Sequence, residues 1–346
     1  MTERLRERLR VATLGCYAHR QPLAYAPIRE RCAPAIEVVD DPSAADLLVV
    51  AHTKDFDSHC QSLSRLMAAR PGRRLVLLSE EPFWDTVWGA NPFARWQDYA
   101  SRVAFLSFVA INHQTSQAFA FERIPYFLLT DPRYINHYKP LFARNAGLSA
   151  ADWRRHFHAV EWDAAFVAVR RRDRRYDVTF SEHDVQGLCR YRSTLAERAG
   201  GASVLRMGEG WAAGPPRQAL ADWHAEKLAL LDMKCRYVSG LENTHQASYV
   251  SEKIVDAFAV GAVPLYFAGS DHRVTRLAPP GSWINVYGRS SEDAFDAAAE
   301  PPSEVLDAYV EAQRGLDRLF SDPAAVGAEL DRFAAALVAE FHSIAG

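Results

Sequence analysis

Apolar residues fall in short blocks along the first half of the chain. Val11–Tyr17, Ala45–Ala51, Arg74–Leu78 and Val103–Val109 are rich in Val, Leu and Phe and read as strands, with helical stretches such as Cys60–Ala69 between them. Alternation of this kind predicts a parallel sheet covered by helices on both faces. A helical, aromatic and basic stretch follows from about Asp131 to Val169. The alternation then restarts. Strands are expected at Tyr176–Phe180, Ser203–Met207, Arg236–Leu241 and Val263–Phe267. Helices are expected at Leu188–Ala199, Asp222–Met233 and from Tyr249, with Gly261 ending the last of these. The pattern therefore predicts two α/β domains, 1–165 and 166–346, with the last helix packing back on the first domain.

Length agrees, since 346 residues exceed one ordinary core. With 49% apolar and 11% aromatic residues, disorder, collagen-like repeats and coiled coil are excluded. A net charge of −3 argues against a nucleic-acid binder. The five cysteines are scattered, odd in number and form no CxxC or Cys/His cluster in sequence, so they read as reduced, buried thiols. The charged start MTERLRERLR lacks the apolar core of a signal peptide, and no run reaches the ~18 apolar residues of a membrane span. The expectation is a cytoplasmic protein, with room for a peripheral contact at the inner membrane face. The run Arg170–Arg175, five arginines and one aspartate, reads as a solvated linker or an anion contact.

The richest chemistry lies in RYVSGLENTHQASYVSEKIVDAFAVGAVPLYFAGS, a strand–loop–helix–strand unit. On its helix Val250, Ile254, Ala257 and Phe258 form an apolar face. Tyr249, Glu252, Lys253 and Asp256 follow i, i+3, i+4, i+7 on another, expected to point away from the sheet. A helix start at the carboxyl edge of such a sheet is a natural anion site. Lys253 there opposes the helix dipole unless an anion binds beside it, and Glu252 suits a sugar hydroxyl. On pattern alone, a dipole-complementing Glu252 and a solvated Lys253 serve equally well.

Leu241-Glu242-Asn243-Thr244, four further residues, then Tyr249-Val250-Ser251-Glu252-Lys253 and the strand Val263-Pro264-Leu265-Tyr266 resemble the donor motif of α-1,3-fucosyltransferases, glycosyltransferase family 10. Leu241 stands where the family has Phe, and Ser251 where it has Thr. The resemblance implies a GT-B architecture of two facing Rossmann-like domains, with the acceptor on the first and GDP-fucose on the second. It also implies an inverting, metal-independent transfer to a glycan hydroxyl. Asn243, Tyr249, Glu252 and Lys253 would contact the donor. An arginine on the helix after the domain's first strand would hold the diphosphate, and Arg190 and Arg192 both lie in that region. Absence of a membrane stem suits a bacterial-type enzyme acting on a lipid-linked or surface-glycan precursor, such as one for lipopolysaccharide. Other readings are a transferase using another nucleotide sugar, and a sugar-nucleotide-binding protein without catalysis.

Inverting transfer needs a carboxylate to take the acceptor's proton. The segment LVLLSEEPFW puts Glu80 and Glu81 just after a strand of the first domain. The strand end, and Pro82 set against the family's Glu-Ser-Pro, both favour Glu80. Phe121-Glu122-Arg123-Ile124-Pro125-Tyr126 resembles the segment before the family's interdomain linker. Trp84 and Trp88 are candidates to stack on an acceptor sugar, or to pack in the core. His52, His113, His137 and His245 show no carboxylate partner at readable spacing, and the chain shows no metal-ligand cluster.

Overall fold

The computed structural model describes residues 8–88, 91–211, 219–293, 295–297 and 299–346. The chain divides into two compact units. One comprises Met1–Phe121, Leu129–Asp131 and Gly327–Gly346, and the other Glu122–Leu128 and Pro132–Val326.

In the first unit β1 (Leu9–Leu14), β2 (Ile36–Val38), β3 (Leu47–Val50), β4 (Arg74–Leu78), β5 (Trp96–Ala100) and β6 (Phe105–Ile111) form one sheet in the order β2-β1-β3-β4-β6-β5. Every pairing is parallel except that of the edge strand β5 with β6. The connecting helices are α1 (Ala26–Cys32) and α2 (Thr53–Ala69). β3 is buried at every position because helices are expected over both faces of a parallel sheet, which is why it reads as an unbroken apolar run. Leu48 and Val50 pack with Phe56 and Leu63 of α2, and with Leu75, Leu77, Phe108 and Ala110. The strand β5 escaped the sequence reading. Its exposed Trp96 sits on an edge whose alternation is half-solvated.

The second unit opens with α3 (Tyr126–Leu129, its last residue counted with the first unit), α4 (Pro132–Ala146) and α5 (Ala150–His158). These helices precede the 165/166 boundary read from the sequence. A five-stranded, all-parallel sheet follows in the order β10-β7-β11-β13-β14, from β7 (Trp162–Val167), β10 (Val204–Met207), β11 (Cys235–Ser239), β13 (Val263–Tyr266) and β14 (Ile284–Asn285). A small antiparallel sheet joins β8 (Thr179–Phe180), β9 (Val185–Gly187) and β12 (Thr244–His245). The helices are α6 (Cys189–Arg198), α7 (Trp223–Leu231), α8 (Glu252–Ala259), α9 (Val274–Leu277), α10 (Ser303–Ser321) and α11 (Pro323–Ala345).

Three expectations are corrected here. Trp162–Val167 is a strand of the main sheet rather than the tail of a helical stretch, and its buried Ala164, Ala165 and Phe166 pair with β10 and β11. Tyr176–Phe180 is not the opening strand of this sheet. Tyr176 is buried in a 3-10 turn, and only Thr179–Phe180 are extended, in the small sheet. The arginine run is no free linker either. Arg170 and Arg172 both pair with Glu197, and Arg170 lies 4.5 Å over the Trp211 ring. Gly261 ends α8 at φ +75°, a conformation that a side chain would strain.

All five cysteines are free, and four are buried. Cys16 is the exception, exposed and 4.0 Å from His59 Nε2, so folding does assemble a Cys/His contact that the sequence spacing hid. Among the described residues no helix is long and apolar enough to cross a membrane.

Candidate active site

The donor-motif loop runs from the end of β11 to the start of α8. A Cβ on Gly240 would lie 3.0 Å from the Ile254 backbone, so glycine lets the helix approach the strand end closely. Glu242, only 2% exposed, then reaches across the loop. Its Oε1 accepts from the Ser251 N–H at 2.7 Å and from the Ser251 hydroxyl at 2.8 Å. Its Oε2 accepts from Lys253 Nζ at 3.0 Å. Lys253 Nζ also donates to Ser251 Oγ at 2.7 Å and lies 3.5 Å from Glu252 Oε1. Glu242 thus ties the loop to the first turn of α8. The sequence reading passed over this anchor, although a carboxylate nine residues before a helix N-cap was the visible signal.

Burial opposes charge on Lys253, but the Glu242 and Glu252 carboxylates outweigh it and hold the ammonium above its ordinary pKa. Burial likewise pushes Glu252 up, and Lys253 and Lys227 more than reverse that, leaving it below the usual carboxylate range. Burial, with Glu242 and Glu252 nearby, raises the Tyr249 hydroxyl well above its ordinary value, so it remains a donor. Asn243 is half-buried, and its carbonyl accepts from the Leu188 N–H at 2.8 Å, which fixes the start of α6 to the same loop.

The two candidate arginines on α6 separate clearly. Arg190 points to Asp177 and forms an ion pair with it. Arg192 is buried, and one of its terminal nitrogens donates to the Leu241 carbonyl at 3.4 Å, while its buried Nε has no hydrogen-bond partner among the described residues. Its positive charge acts on both Lys253 and Tyr249. Two cations and a tyrosine hydroxyl therefore gather at the start of α8. The helix N-terminus adds partial positive charge there, which suits a diphosphate.

The polar face of α8, expected to point away from the sheet, is buried rather than solvated. Glu252 is 5% exposed and Asp256 fully buried, because α4 and α7 supply partners on that side. Asp256 accepts from the Tyr138 hydroxyl at 2.6 Å and from Lys227 Nζ at 2.7 Å, and lies 2.8 Å from His224 Nε2. Burial alone would raise its pKa, yet Lys227 and His224 lower it to about 2. Histidines thought to lack acidic partners have them through folding. His52 lies 3.2 Å from Asp85, His137 3.4 Å from Asp222 and His245 3.0 Å from Asp184. His113 packs against Phe119 with the rings tilted and their centroids 4.3 Å apart.

In the first unit, Glu80 follows β4 at the carboxyl edge of the sheet. It is partly exposed and accepts from the Tyr25 hydroxyl at 2.8 Å. Glu81 is committed differently, in an ion pair with Arg20, while its N–H donates to Ser79 Oγ at 3.1 Å. The turn is braced by buried Asp85, which accepts from Ser79 at 2.5 Å and from the Thr53 hydroxyl at 2.7 Å. Asp85 was not singled out in the sequence, since its partners lie on α2 and β4. Trp84 and Trp88 stand edge-to-face, 4.6 Å apart, beside Phe83, with Trp88 37% exposed.

Residues 212–297 match the family model described as Glycosyltransferase family 10 (fucosyltransferase) C-term. None of the curated proteins matches the chain. Among solved structures, an alpha1,3-fucosyltransferase with GDP-fucose is 13% identical, at a TM-score of 0.43, covering 95% of this chain and 84% of its own. A second alpha1,3-fucosyltransferase structure is 14% identical at 0.42, covering 93% and 81%. A third, with GDP, is 12% identical at 0.39, covering 95% and 83%. Scores this low carry no weight for fold or function. The family match does, for it spans the loop and helix that hold Glu242, Asn243, Tyr249, Glu252 and Lys253. Over that segment the chain is similar to glycosyltransferase family 10, the fucosyltransferases.

Proposed function

We propose that the protein transfers L-fucose from GDP-fucose to a glycan hydroxyl with inversion at the anomeric carbon. The observation that carries this reading is the gathering of Lys253, Arg192 and Tyr249 around the Asn243 loop, in and beside a segment that matches the fucosyltransferase family. In this reading the second unit holds the donor. Lys253 and Arg192 take the diphosphate and stabilise the charge that grows on departing GDP. Glu252 accepts from ribose or sugar hydroxyls, and Tyr249 and Asn243 complete the contacts. No metal is required, because two cations already serve the leaving group.

The first unit would present the acceptor. Glu80, oriented by the Tyr25 hydroxyl, takes the proton of the attacking hydroxyl, and Trp84 and Trp88 offer ring faces to the acceptor sugar. Glu81 is the weaker candidate because Arg20 already neutralises it. The acceptor would be an oligosaccharide or glycolipid of a bacterial surface-glycan precursor, met in the cytoplasm or at the inner membrane face.

The test is release of GDP from GDP-fucose in the presence of a panel of oligosaccharide and lipid-linked acceptors, with GDP-mannose and UDP-galactose as competing donors. Acceptor-dependent GDP release and an inverted anomeric configuration by NMR are expected. Release with another nucleotide sugar alone would assign a different donor. Tight GDP-fucose binding with no turnover on any acceptor would leave a non-catalytic binding protein.

A further inference from the structure

We propose that Cys16, Asp55 and His59 of the first unit form a binding site for one divalent metal ion of the zinc class, separate from the nucleotide-sugar residues. Their ligand atoms, a thiol sulfur, a carboxylate oxygen and an imidazole nitrogen, all lie within 4.8 Å of one another. Cys16 Sγ and His59 Nε2 are 4.0 Å apart. Ligands at about 2.0–2.3 Å from a tetrahedral zinc stand roughly 3.3–3.8 Å from each other, so small side-chain adjustments close the site.

The site is built into the backbone. Asp55 and His59 are four residues apart on α2 and share one face of it. Cys16 follows β1 in the turn that faces this helix. Asp55 is 1% exposed, and its Oδ1 accepts from the Cys16 N–H at 2.8 Å. A Cβ on Gly15, at φ +99°, would stand 2.2 Å from the Asp55 carboxyl carbon. Only glycine there lets the carboxylate sit beneath the turn. The start of α2 is held in turn by His52, whose Nδ1 accepts from the Lys54 N–H, and by Thr53, which donates to Asp85.

A second, independent observation points to a ligand. Asp55 Oδ2 is buried and has no hydrogen-bond partner among the described residues. A buried carboxylate oxygen without a partner is costly, and a cation beside it would offset that cost. Thiolate, imidazole and carboxylate together match the donor preferences of zinc, and cobalt(II) substitutes in such sets. Exposure of Cys16 leaves the fourth position to water. Binding converts the Cys16 thiol to thiolate and releases its proton to the buffer.

Titration of the chelator-treated full chain with Co²⁺ tests the site. One ion per chain should bind and produce a near-ultraviolet thiolate-to-cobalt charge-transfer band, which Zn²⁺ should displace. Cys16→Ser should abolish the band, and His59→Ala should weaken binding at least tenfold. Both replacements lie outside the core, and unchanged circular dichroism would confirm folding. Asp55→Asn should also weaken binding, and a failure of that variant to fold leaves the other two decisive. No band in the wild-type chain, or an undiminished band in Cys16→Ser, would overturn the proposal.

Discussion

An ammonium group in the first turn of a helix is disfavoured, because the unpaired N–H groups there carry partial positive charge. At Lys253 the Glu242 carboxylate, held by the Ser251 N–H, supplies the opposing charge within 3.0 Å. The lysine therefore stays charged in a largely enclosed place and is ready for an anion. Lys253→Ala should weaken GDP binding by about 1–3 kcal/mol, the scale of a lost charge-assisted hydrogen bond. Arg192→Ala should do the same, and Arg190→Ala should leave affinity within about twofold, since Arg190 is tied to Asp177. Calorimetry on the three variants decides, and an Arg190→Ala loss as large as that of Arg192→Ala would reverse the assignment. GDP affinity should also be equal in EDTA and in Mg²⁺. A tenfold gain on adding Mg²⁺ would show that a metal, rather than these cations, meets the diphosphate. At this scale the sequence named Lys253 and Glu252 but could not choose between Arg190 and Arg192. Two residues on one helix turn differ only in what the fold places opposite each of them.

Elements that were missed or misread share a cause, which is that their partners are distant in sequence. β7 was read as part of a helical stretch because α5 precedes it closely and no Gly or Pro separates the two. The burial of the polar stripe of α8 was not legible because its partners Tyr138, His224 and Lys227 come from α4 and α7. The loop elements beside α8 are similarly built on buried histidines. His272 is 2% exposed and stacks on His245 with ring centroids 5.0 Å apart, and its Nδ1 accepts from the Val274 N–H. Burial, then the neighbouring His245, lowers its pKa to about 3 from an unfolded value near 6.5. A group whose folded pKa is depressed contributes stability above its unfolded pKa, and loses it as pH falls toward the folded one. The loss therefore begins below about pH 6.5, and by pH 5 it amounts to about 2 kcal/mol from this residue alone. Chemical denaturation at pH 7 and pH 5 should show that drop in the wild-type chain. A His272→Gln variant should be less stable at pH 7 but lose clearly less on acidification. Equal pH dependence in the two proteins would remove His272 from the acid limb.

For the whole molecule, alternation of apolar blocks was enough to foretell two α/β units with mostly parallel sheets, because buried parallel strands advertise themselves as continuous apolar runs. The reading placed the last helix back on the first domain, and residues from Gly327 onward count with the first unit. The division has a functional consequence under the proposed reading, since Glu80 belongs to one unit and the donor residues to the other. Binding and chemistry should then separate by mutation. Glu80→Gln keeps the size of the side chain and can still accept from the Tyr25 hydroxyl, but it cannot take a proton at neutral pH. GDP affinity should be nearly unchanged, while turnover falls by roughly 10²–10⁴-fold, the range for removal of a general base. Glu81→Gln should cost much less, because its carboxylate is occupied by Arg20 and its loss leaves the Ser79–Asp85 brace of the turn in place. Turnover and GDP affinity measured side by side on both variants give a clear reading. A dead Glu81→Gln enzyme with an active Glu80→Gln would move the base by one residue. Two active variants would place the base on another side chain and detach this turn from the family's catalytic segment. A fall in GDP affinity with Glu80→Gln would contradict the separation of roles between the units.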